Sequence, residues 1–250
     1  MDKTRLIVNA EKEEFIVQDG KVYAVYAIPT ELITAKTRLD EFLLYYAAPL
    51  LRKTAKGAPL LSGDILLVSE KAVAIAQGKA RLVSEVNAGK LARFLCRFVK
   101  KTEYGIGLAM PETMECAVEE CGKARIMLAA AAGALGKLLG QKGWFYRIAG
   151  YKAAAVDGPC AFTLPPYDRY VVPAPNAPNK TARHIAALLG VPTVIIDCND
   201  IGGRILGRSH KGLTDRFLLP LLRQNPLGQS HEQTPLGILR LHSPSPTAAL

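Results

Sequence analysis

Three turns with acidic or amide side chains follow apolar segments, and they contain the residues best suited to chemistry. Asp157 lies in AAAVDGP, Asp197 and Asp200 lie in VIIDCNDIGG, and Gln229 and Glu232 lie in NPLGQSHEQTPLG. Mg²⁺ and Mn²⁺ prefer carboxylate and amide oxygens, and two acids at different strand ends can hold such an ion against phosphate oxygens. The pattern therefore favours a divalent metal site for a phosphorylated ligand.

Each turn also has a purely structural interpretation. Asp157 before Gly158 can cap a turn, Asp197 and Asp200 can form an Asx turn before the glycines, and Glu232 can be a solvated side chain. The residue types alone leave both interpretations open.

Standard nucleotide and nucleophile motifs are not found. GALGKLLG lacks the glycine spacing and the Ser or Thr of a Walker loop, and GIGLAM lacks the last glycine of a dinucleotide fingerprint. The five cysteines form no CxxC pair, and no histidine stands at zinc-ligand spacing from them. Cys198 has no histidine near it in the sequence, so we expect a buried thiol there.

The net charge of +10 suits nucleic acid, anionic lipid or a phosphorylated small molecule. The densest basic stretch is 79–101, where Leu91, Phe94, Leu95 and Phe98 recur at helical spacing. Its cations are therefore expected on the solvated side of an amphipathic helix, with an anion-docking face as the alternative. Nucleic acid is not the favoured partner.

The apolar pattern predicts strands and helices without strict alternation, which favours an α+β fold. Strands are expected at 13–17 and 22–28 (a hairpin around Asp19-Gly20), 63–71, 73–83, 143–158 and 191–197. Helices are expected within 36–54, as two helices within 112–140, at 180–190, and at 215–224 with a bend or break at Pro220. Residues 163–180 are expected to form a rigid loop. Residues 1–240 are expected to form a single unit, with two lobes as the alternative, followed by a disordered tail at 241–250.

No membrane partner is expected from the apolar segments. The segment 126–140 is too short to span a bilayer and is predicted to be a buried helix. The first residues lack the apolar core of a signal peptide, which favours a cytoplasmic protein with reduced cysteines.

Five segments, in order, resemble the gamma-glutamyl ligases of the deazaflavin coenzyme F-420, in particular their divergent bacterial relatives. The segments are GDILLVSEKAVAIAQGK (63–79), GIGLAMPETMECAVEECG (105–122), FYRIAGYKAAAVDGP (145–159), VIIDCNDIGGRILG (194–207) and NPLGQSHEQTPLGILR (225–240). The resemblance implies a two-lobed α+β fold and an intertwined homodimer.

The resemblance also implies a reaction. Such ligases use GTP and a divalent metal to join L-glutamate to a phosphorylated carboxylic acid, by phosphorylating the carboxylate and letting the amine displace phosphate. GTP, or ATP in its place, would be the co-substrate, with Mg²⁺ or Mn²⁺ as the metal.

Site residues follow from the same matches. Asp157 and Asp197 would be catalytic metal ligands, together with Gln229 as a third ligand. Nucleotide and phosphate contacts are expected from Lys71, Asn199, Asp200, Gly202, Gly203, Arg204 and Glu232, with Gly207 also allowing close backbone approach.

The chain departs from the pattern of these ligases at several positions. Gly158, Pro159 and Cys160 replace a serine-asparagine pair, Cys198-Asn199-Asp200 replaces Thr-Phe-Gly, and His231 replaces an acid. The helical stretch 36–54 is an apparent insertion. These departures leave open a second function, a ligand-binding or regulatory homologue without ligase turnover.

Overall fold

The computed structural model describes residues 15–18, 20–53, 63–99, 106–160, 163–199, 202–223, 225–228 and 232–242. The chain divides into two compact units. One, here called the sheet unit, comprises Met1–Ala76 and Asn176–Leu250, and the other, the helical unit, comprises Gln77–Pro175. The α+β class predicted from the sequence is confirmed, with a mixed sheet.

The sheet unit contains a six-stranded sheet in the order β1-β2-β8-β3-β6-β7. Its strands are β1 Phe15–Gln18, β2 Lys21–Ile28, β3 Ile65–Ser69, β6 Thr193–Asn199, β7 Gly202–Arg208 and β8 Leu236–His242. Strands β3 and β6 are parallel, and every other neighbouring pair is antiparallel. The helical unit is thus inserted in the connection between the two parallel strands.

The predicted hairpin at the start of the chain is confirmed. Strands β1 and β2 pair from Gln18 opposite Lys21 to Phe15 opposite Ala24. Gly20 has a φ of 72°, a conformation that glycine adopts without steric cost. Asp19 lies outside the described residues.

One face of the sheet packs against α9, Asp215–Leu222. Phe217, Leu218, Leu221 and Leu222 of this helix share a core with alternate residues of the strands. Those strand residues include Leu67, Val194, Ile196 and Leu239. The side chain of Thr214 caps the helix by accepting a hydrogen bond from the Phe217 amide at 3.3 Å. Pro220, where a bend or break was predicted, lies inside the helix.

Three further helices belong to the sheet unit. They are α1 Leu39–Tyr46, α2 Glu70–Ala76 and α8 Pro178–Leu189. Helix α8 contacts β6 and β7 and buries Ala182, Ile185 and Leu189. It begins at Pro178, two residues before the predicted start. Its C-cap is Gly190, whose φ is 71°, which confirms the predicted end of the helix.

The helical unit consists of five helices and a short two-stranded sheet among its described residues. The helices are α3 Lys90–Leu95, α4 Pro111–Cys121, α5 Lys123–Leu138, α6 Trp144–Ala149 and α7 Tyr151–Ala154. The strands are β4 Arg81–Leu82 and β5 Tyr170–Val171, so a short strand lies within the predicted loop 163–180. A core that includes Met114, Ala117, Ile126 and Ala129 holds α4 and α5 together.

Two strand predictions are wrong. Residues 73–76 lie in α2, and the predicted strand at 143–158 contains α6 and α7. Glycines 133 and 136 of α5 explain the second error, because a Cβ at these positions would lie 3.2 Å from Cβ of Phe145 and 2.8 Å from Cγ of Trp144. The aromatic residues of α6 therefore pack closely on α5, and this packing overrides their strand propensity.

The helix predicted at 126–140 is confirmed as part of α5, but the prediction that it is buried is wrong. Helix α5 buries Ile126, Ala129 and Gly136, whereas Met127, Leu128, Leu135 and Leu138 are exposed. In the part of the chain that the structure describes, no helix combines the length and apolarity needed to cross a membrane.

Helix α3 likewise differs from its predicted amphipathic pattern. Ala92 and Cys96 are buried, while Phe94 and Phe98 are exposed and stack edge to face with ring centroids 5.1 Å apart. The apolar spacing identified the helix but not its buried side.

Candidate functional site

Most of the candidate residues of the sheet unit lie at one end of the strands. This end of the sheet, where the strands β2, β3 and β6 finish, is called the edge below. The parallel register pairs Ser69 of β3 with Ile196 of β6, and Val68 pairs with Leu236 at the start of β8. Ile28 at the end of β2 also pairs with Leu236. The carboxyl ends of β2, β3 and β6 therefore meet the beginning of β8, and ligands commonly bind at the carboxyl ends of parallel strands.

Asp197 is half-buried near the end of β6. Side chains alternate along a strand, and Ile196 and Cys198 both pack towards the core that α9 completes. Asp197 consequently lies on the opposite face of the sheet, the face of Ile195. The Cys198 thiol, half-buried, donates a hydrogen bond to the Leu222 carbonyl at 3.0 Å, which fixes the alternation at this position.

Arg204 of β7 is directly opposite Asp197 in the antiparallel register. The side chain of Arg204 is exposed. Directly opposed residues have Cβ atoms about 4.5–5.5 Å apart, so opposite charges at such positions attract. An anion that approaches this edge would meet the guanidinium beside the carboxylate of Asp197.

Glu70 and Lys71 follow β3 directly and begin α2. Since Ser69 and Ile196 are partners, Glu70 at the start of α2 and Asp197 in β6 are the residues that follow this last pair. Glu70 is only 5% exposed, and Lys71 is half-buried. A buried carboxylate at the carboxyl end of a parallel strand is a functional candidate.

The segment before β8 is tied to the same edge by backbone hydrogen bonds. The Ser69 amide donates to the Pro235 carbonyl at 2.8 Å, and the Thr30 amide donates to the Gln233 carbonyl at 3.0 Å. Glu232 is exposed, and its Cδ would lie 2.7 Å from a Cβ at Gly228. The carboxylate of Glu232 is therefore held over the turn at 225–228.

Asn225 begins that turn and is fully buried. Its φ is 47°, and its amide donates to the Leu222 carbonyl at 3.0 Å. Its own carbonyl accepts from the Gly228 amide at 2.9 Å. Asparagine tolerates the left-handed region better than most residues, so this position connects α9 to the strand-end loop.

The glycines of β7 differ in role. A Cβ at Gly202 would meet nothing within 4 Å, and one at Gly203 would lie 3.4 Å from the Cys198 sulfur. A Cβ at Gly207 would instead collide with the Pro178 carbonyl at the start of α8. Gly202 and Gly203 remain candidates for close ligand approach, whereas Gly207 is required for packing of the helix on the strand.

Asp157 belongs to the helical unit. Its amide and carbonyl form two 2.9 Å hydrogen bonds with Val172, which make an isolated antiparallel bridge. A Cβ at Gly158 would lie 2.9 Å from Cγ2 of the buried Thr113, so the departure from the ligase pattern at this position is explained by packing. The joint role of Asp157 and Asp197 stays a prediction.

Several of the predicted site residues lie outside the part of the chain that the structure describes. Asp200, Gln229 and His231 lie outside the described residues. Of the tail predicted to be disordered at 241–250, Leu241 and His242 belong to β8 and the remainder lies outside the described residues. For Asn199 the backbone is described, and it pairs with Gly202 across the β6–β7 hairpin. Within the described ranges, no group of three or more His, Cys, Asp or Glu side chains is arranged to hold a metal ion.

Sequence reasoning missed Glu70 and Asn225 as buried polar residues of this edge. The motif VSEK drew attention to Lys71, and Glu70 was included in the predicted strand 63–71, whereas it begins α2. A signal was present, since a glutamate that directly follows an uninterrupted apolar strand cannot reach solvent easily. Only the register between β3 and β6 brings Glu70 beside Asp197.

The donor chemistry at this edge fits both a divalent cation and a phosphate. Glu70 and Asp197 supply carboxylate oxygens at neighbouring strand ends, which suits Mg²⁺ or Mn²⁺. Lys71 and Arg204 supply cations that bind phosphate oxygens, the lysine as a point charge and the arginine as a planar fork. We call Glu70, Lys71, Asp197, Arg204 and Glu232 the strand-end cluster.

No protein-family model matches the chain, and no curated protein matches it.

Proposed function

We propose that the protein is a metal-dependent, nucleotide-driven amide ligase that acts on a phosphorylated carboxylic acid, with L-glutamate as the amine. The observation that carries the proposal is the position of Asp197, which lies near the end of a parallel strand, follows the partner of Ser69 and is directly opposite Arg204. The five segments that resemble the F-420 gamma-glutamyl ligases support the same conclusion, because three of them, 63–79, 194–207 and 225–240, supply this edge.

The proposed reaction has two steps. A carboxylate oxygen of the acceptor attacks the terminal phosphorus of GTP or ATP, which forms an acyl phosphate and releases the nucleoside diphosphate. The amine of L-glutamate then attacks the acyl carbon, phosphate leaves, and the amine loses a proton. The mixed anhydride hydrolyses in water, so the site must exclude solvent during the second step.

The residues of the strand-end cluster have distinct proposed roles. Lys71 and Arg204 bind the phosphate oxygens and orient them. Asp197, with Glu70 beside it, holds Mg²⁺ or Mn²⁺, which supplies charge neutralisation for the transferred phosphoryl group. Asp157 and Gln229 keep the ligand roles that the resemblance implies. The two-lobed ligase fold and the homodimer are part of this proposal.

Thermal stability in the presence of nucleotides tests the proposal. A ligand that binds only the native state raises the melting temperature. We expect GTP or ATP with Mg²⁺ or Mn²⁺ to stabilise the wild-type protein, and Asp197→Asn to remove the metal-dependent part of that shift. Asp168→Asn makes the same chemical change in the helical unit and should respond like the wild type. A metal-dependent shift that survives in Asp197→Asn would contradict the proposal.

A ligand-binding or regulatory homologue without turnover is the second candidate function. The changed residues that follow Asp157 and Asp197, Gly158-Pro159-Cys160 and Cys198-Asn199-Asp200, favour it, because they replace polar neighbours of the proposed metal ligands. The two candidates differ in product formation. Incubation with nucleotide, metal, L-glutamate and candidate phosphorylated acids should yield an amide from a ligase, whereas stoichiometric nucleotide binding without any amide would favour the second candidate.

A further inference from the structure

Helix α5 presents an uninterrupted apolar face to solvent. Its exposed residues include Ala124, Met127, Leu128, Ala131, Ala134, Leu135 and Leu138. Positions 124, 128, 131, 135 and 138 recur at spacings of four and three residues, which places them on one side of an α-helix. Leu138 is 84% exposed and Leu128 is 61% exposed. We call this set the α5 stripe.

The opposite side of α5 is the side that packs within the helical unit. Ile126, Ala129 and Gly136 are buried, and the glycines at 133 and 136 accept the aromatic residues of α6. At 100° per residue, these positions lie roughly 180° from the centre of the stripe. The stripe is therefore not a remnant of the core but a separate apolar surface, about 24 Å long for a helix of this length.

The charges around the stripe have one sign. The segment 121–156 contains Lys123, Arg125, Lys137, Lys142, Arg147 and Lys152 and no acidic residue. Arg125 donates to the Ile148 carbonyl at 2.7 Å, and Lys152 contacts Glu120 at 3.1 Å. Lys123 and Lys137, near the two ends of the helix, are exposed. The occupant of this surface must tolerate an apolar centre and positive ends.

A second copy of the chain fits this surface poorly. Two α5 helices paired antiparallel around residue 131 would bring Lys137 of one copy opposite Arg125 of the other, and like charges that face each other are unfavourable. In paired helices, the positions on either side of the apolar seam usually carry charged residues of both signs, which form ion pairs between the helices. The corresponding positions here are Met127, Ala132, Ala134 and Leu139, which makes the stripe wider than such a seam.

We propose that the α5 stripe docks on the surface of a phospholipid bilayer that contains anionic headgroups. The leucines and Met127 enter the boundary between headgroups and acyl chains, and the long side chains of Lys123 and Lys137 reach the phosphates from the rim. Such a helix lies in the plane of the membrane, so the mode requires no spanning segment. The inference is independent of the proposed ligase reaction, and it replaces the expectation that no membrane takes part.

Vesicle flotation with the full chain tests the proposal. The wild-type protein should float with vesicles of equal parts phosphatidylglycerol and phosphatidylcholine, and at least about tenfold less with phosphatidylcholine alone. Raising the salt concentration should lower the bound fraction. The double variant Leu135→Glu, Leu138→Glu should lose flotation about tenfold or more while its melting temperature stays near that of the wild type.

The matched control is Leu44→Glu, which places the same charge on an exposed leucine of α1 in the sheet unit. It should float like the wild type. Lys123→Gln with Lys137→Gln should weaken flotation on the anionic vesicles and leave the low binding to phosphatidylcholine unchanged. Light scattering at the same protein concentration measures the oligomeric state, and so tests whether a second copy of the chain covers the stripe instead.

Three results would overturn the proposal. One is a wild-type protein that stays with the soluble fraction for both vesicle compositions. Another is a Leu135→Glu, Leu138→Glu variant that floats as well as the Leu44→Glu control. The third is a wild-type protein that is dimeric and does not float, together with a Leu135→Glu, Leu138→Glu variant that is monomeric. That result would assign the stripe to a second copy of the chain.

Discussion

Asp197 and Arg204 are directly opposite each other across the antiparallel pair of β6 and β7. The sequence separates them by seven positions and supports independent roles, a metal ligand and an anion contact. The register joins the two roles, since a phosphate bound by the guanidinium would lie beside the carboxylate. This pairing gives the edge of the sheet both signs of charge, as a metal-nucleotide site requires.

Arg204→Gln is expected to weaken the binding of GTP with Mg²⁺, or of ATP with Mg²⁺, by about tenfold or more. A hydrogen bond to a charged group contributes about 1.5–3 kcal/mol, and each 1.4 kcal/mol corresponds to a factor of ten in affinity. Titration calorimetry measures the change. Arg216→Gln, on an exposed position of α9, should bind like the wild type, and equal affinities for both variants would remove Arg204 from the site.

The ion pairs of Glu120 in the helical unit predict a dependence of stability on pH. Lys79 and Lys152 lie 2.7 and 3.1 Å from the two carboxylate oxygens. Burial alone would raise the pKa of Glu120, but the hydrogen bonds and charges of the two lysines outweigh it and hold the pKa below its ordinary value. The stabilisation is therefore complete above the unfolded pKa, about 4.3, and declines as the pH falls through the folded pKa.

Glu120→Gln should accordingly destabilise the protein at neutral pH, by about 3 kcal/mol because the buried ammonium of Lys79 loses the charge of Glu120. The difference from the wild type should shrink below the unfolded pKa of the carboxyl group. Urea denaturation across the acid range measures both. Glu85→Gln, on the surface of the same unit, is the control, and a difference for Glu120→Gln that persists unchanged into acid would refute the assignment.

The bidentate pair of Asp64 and Arg240 is predicted to stabilise the sheet unit. Arg240 donates to the two carboxylate oxygens of Asp64 at 2.8 and 2.7 Å, and Asp64 is only 1% exposed. The hydrogen bonds to Asp64 raise the pKa of Arg240 above its ordinary value. Arg240→Met leaves the buried carboxylate without its cation, so we expect a loss of about 3–5 kcal/mol in the free energy of unfolding.

Chemical denaturation of Arg240→Met measures that loss. The double variant Asp64→Asn, Arg240→Met should recover part of it, since the neutral amide costs less to bury than an unpaired carboxylate. A double variant no more stable than Arg240→Met alone would show that the charge of Asp64 is not the cause.

Substitution by alanine is expected to affect stability differently at two glycines of β7, Gly202 and Gly207. Gly207→Ala places a Cβ against the backbone of Pro178, and backbone can move only with α8. We expect a loss of about 1–3 kcal/mol from overpacking. Gly202→Ala meets open space and should be neutral or slightly stabilising in thermal denaturation. Equal stabilities of the two variants would contradict the packing role of Gly207.

Elements with strong local signals were predicted correctly from the sequence, and features that depend on tertiary contacts were not. Apolar runs and helix boundary residues predicted β6, α8 and the first hairpin correctly, because these signals are local. The aromatic segment that forms α6 was predicted as a strand, since its packing on Gly133 and Gly136 of α5 is a contact between two helices that a local pattern does not show. Glu70 was missed as a site residue for the same reason, because its neighbour Asp197 is more than a hundred residues away.

The sequence by itself determined the α+β class, the acids that end apolar segments and the composition of the α5 stripe. The tertiary structure decided which residues face each other and which apolar faces stay exposed. Periodicity reports that a helix has an apolar side, but burial depends on what packs there, and in α5 both sides are apolar while only one is covered. Two registers likewise arise from pairing between strands and are not encoded in a local pattern. One places Arg204 opposite Asp197, and the other places the end of β3 next to β6.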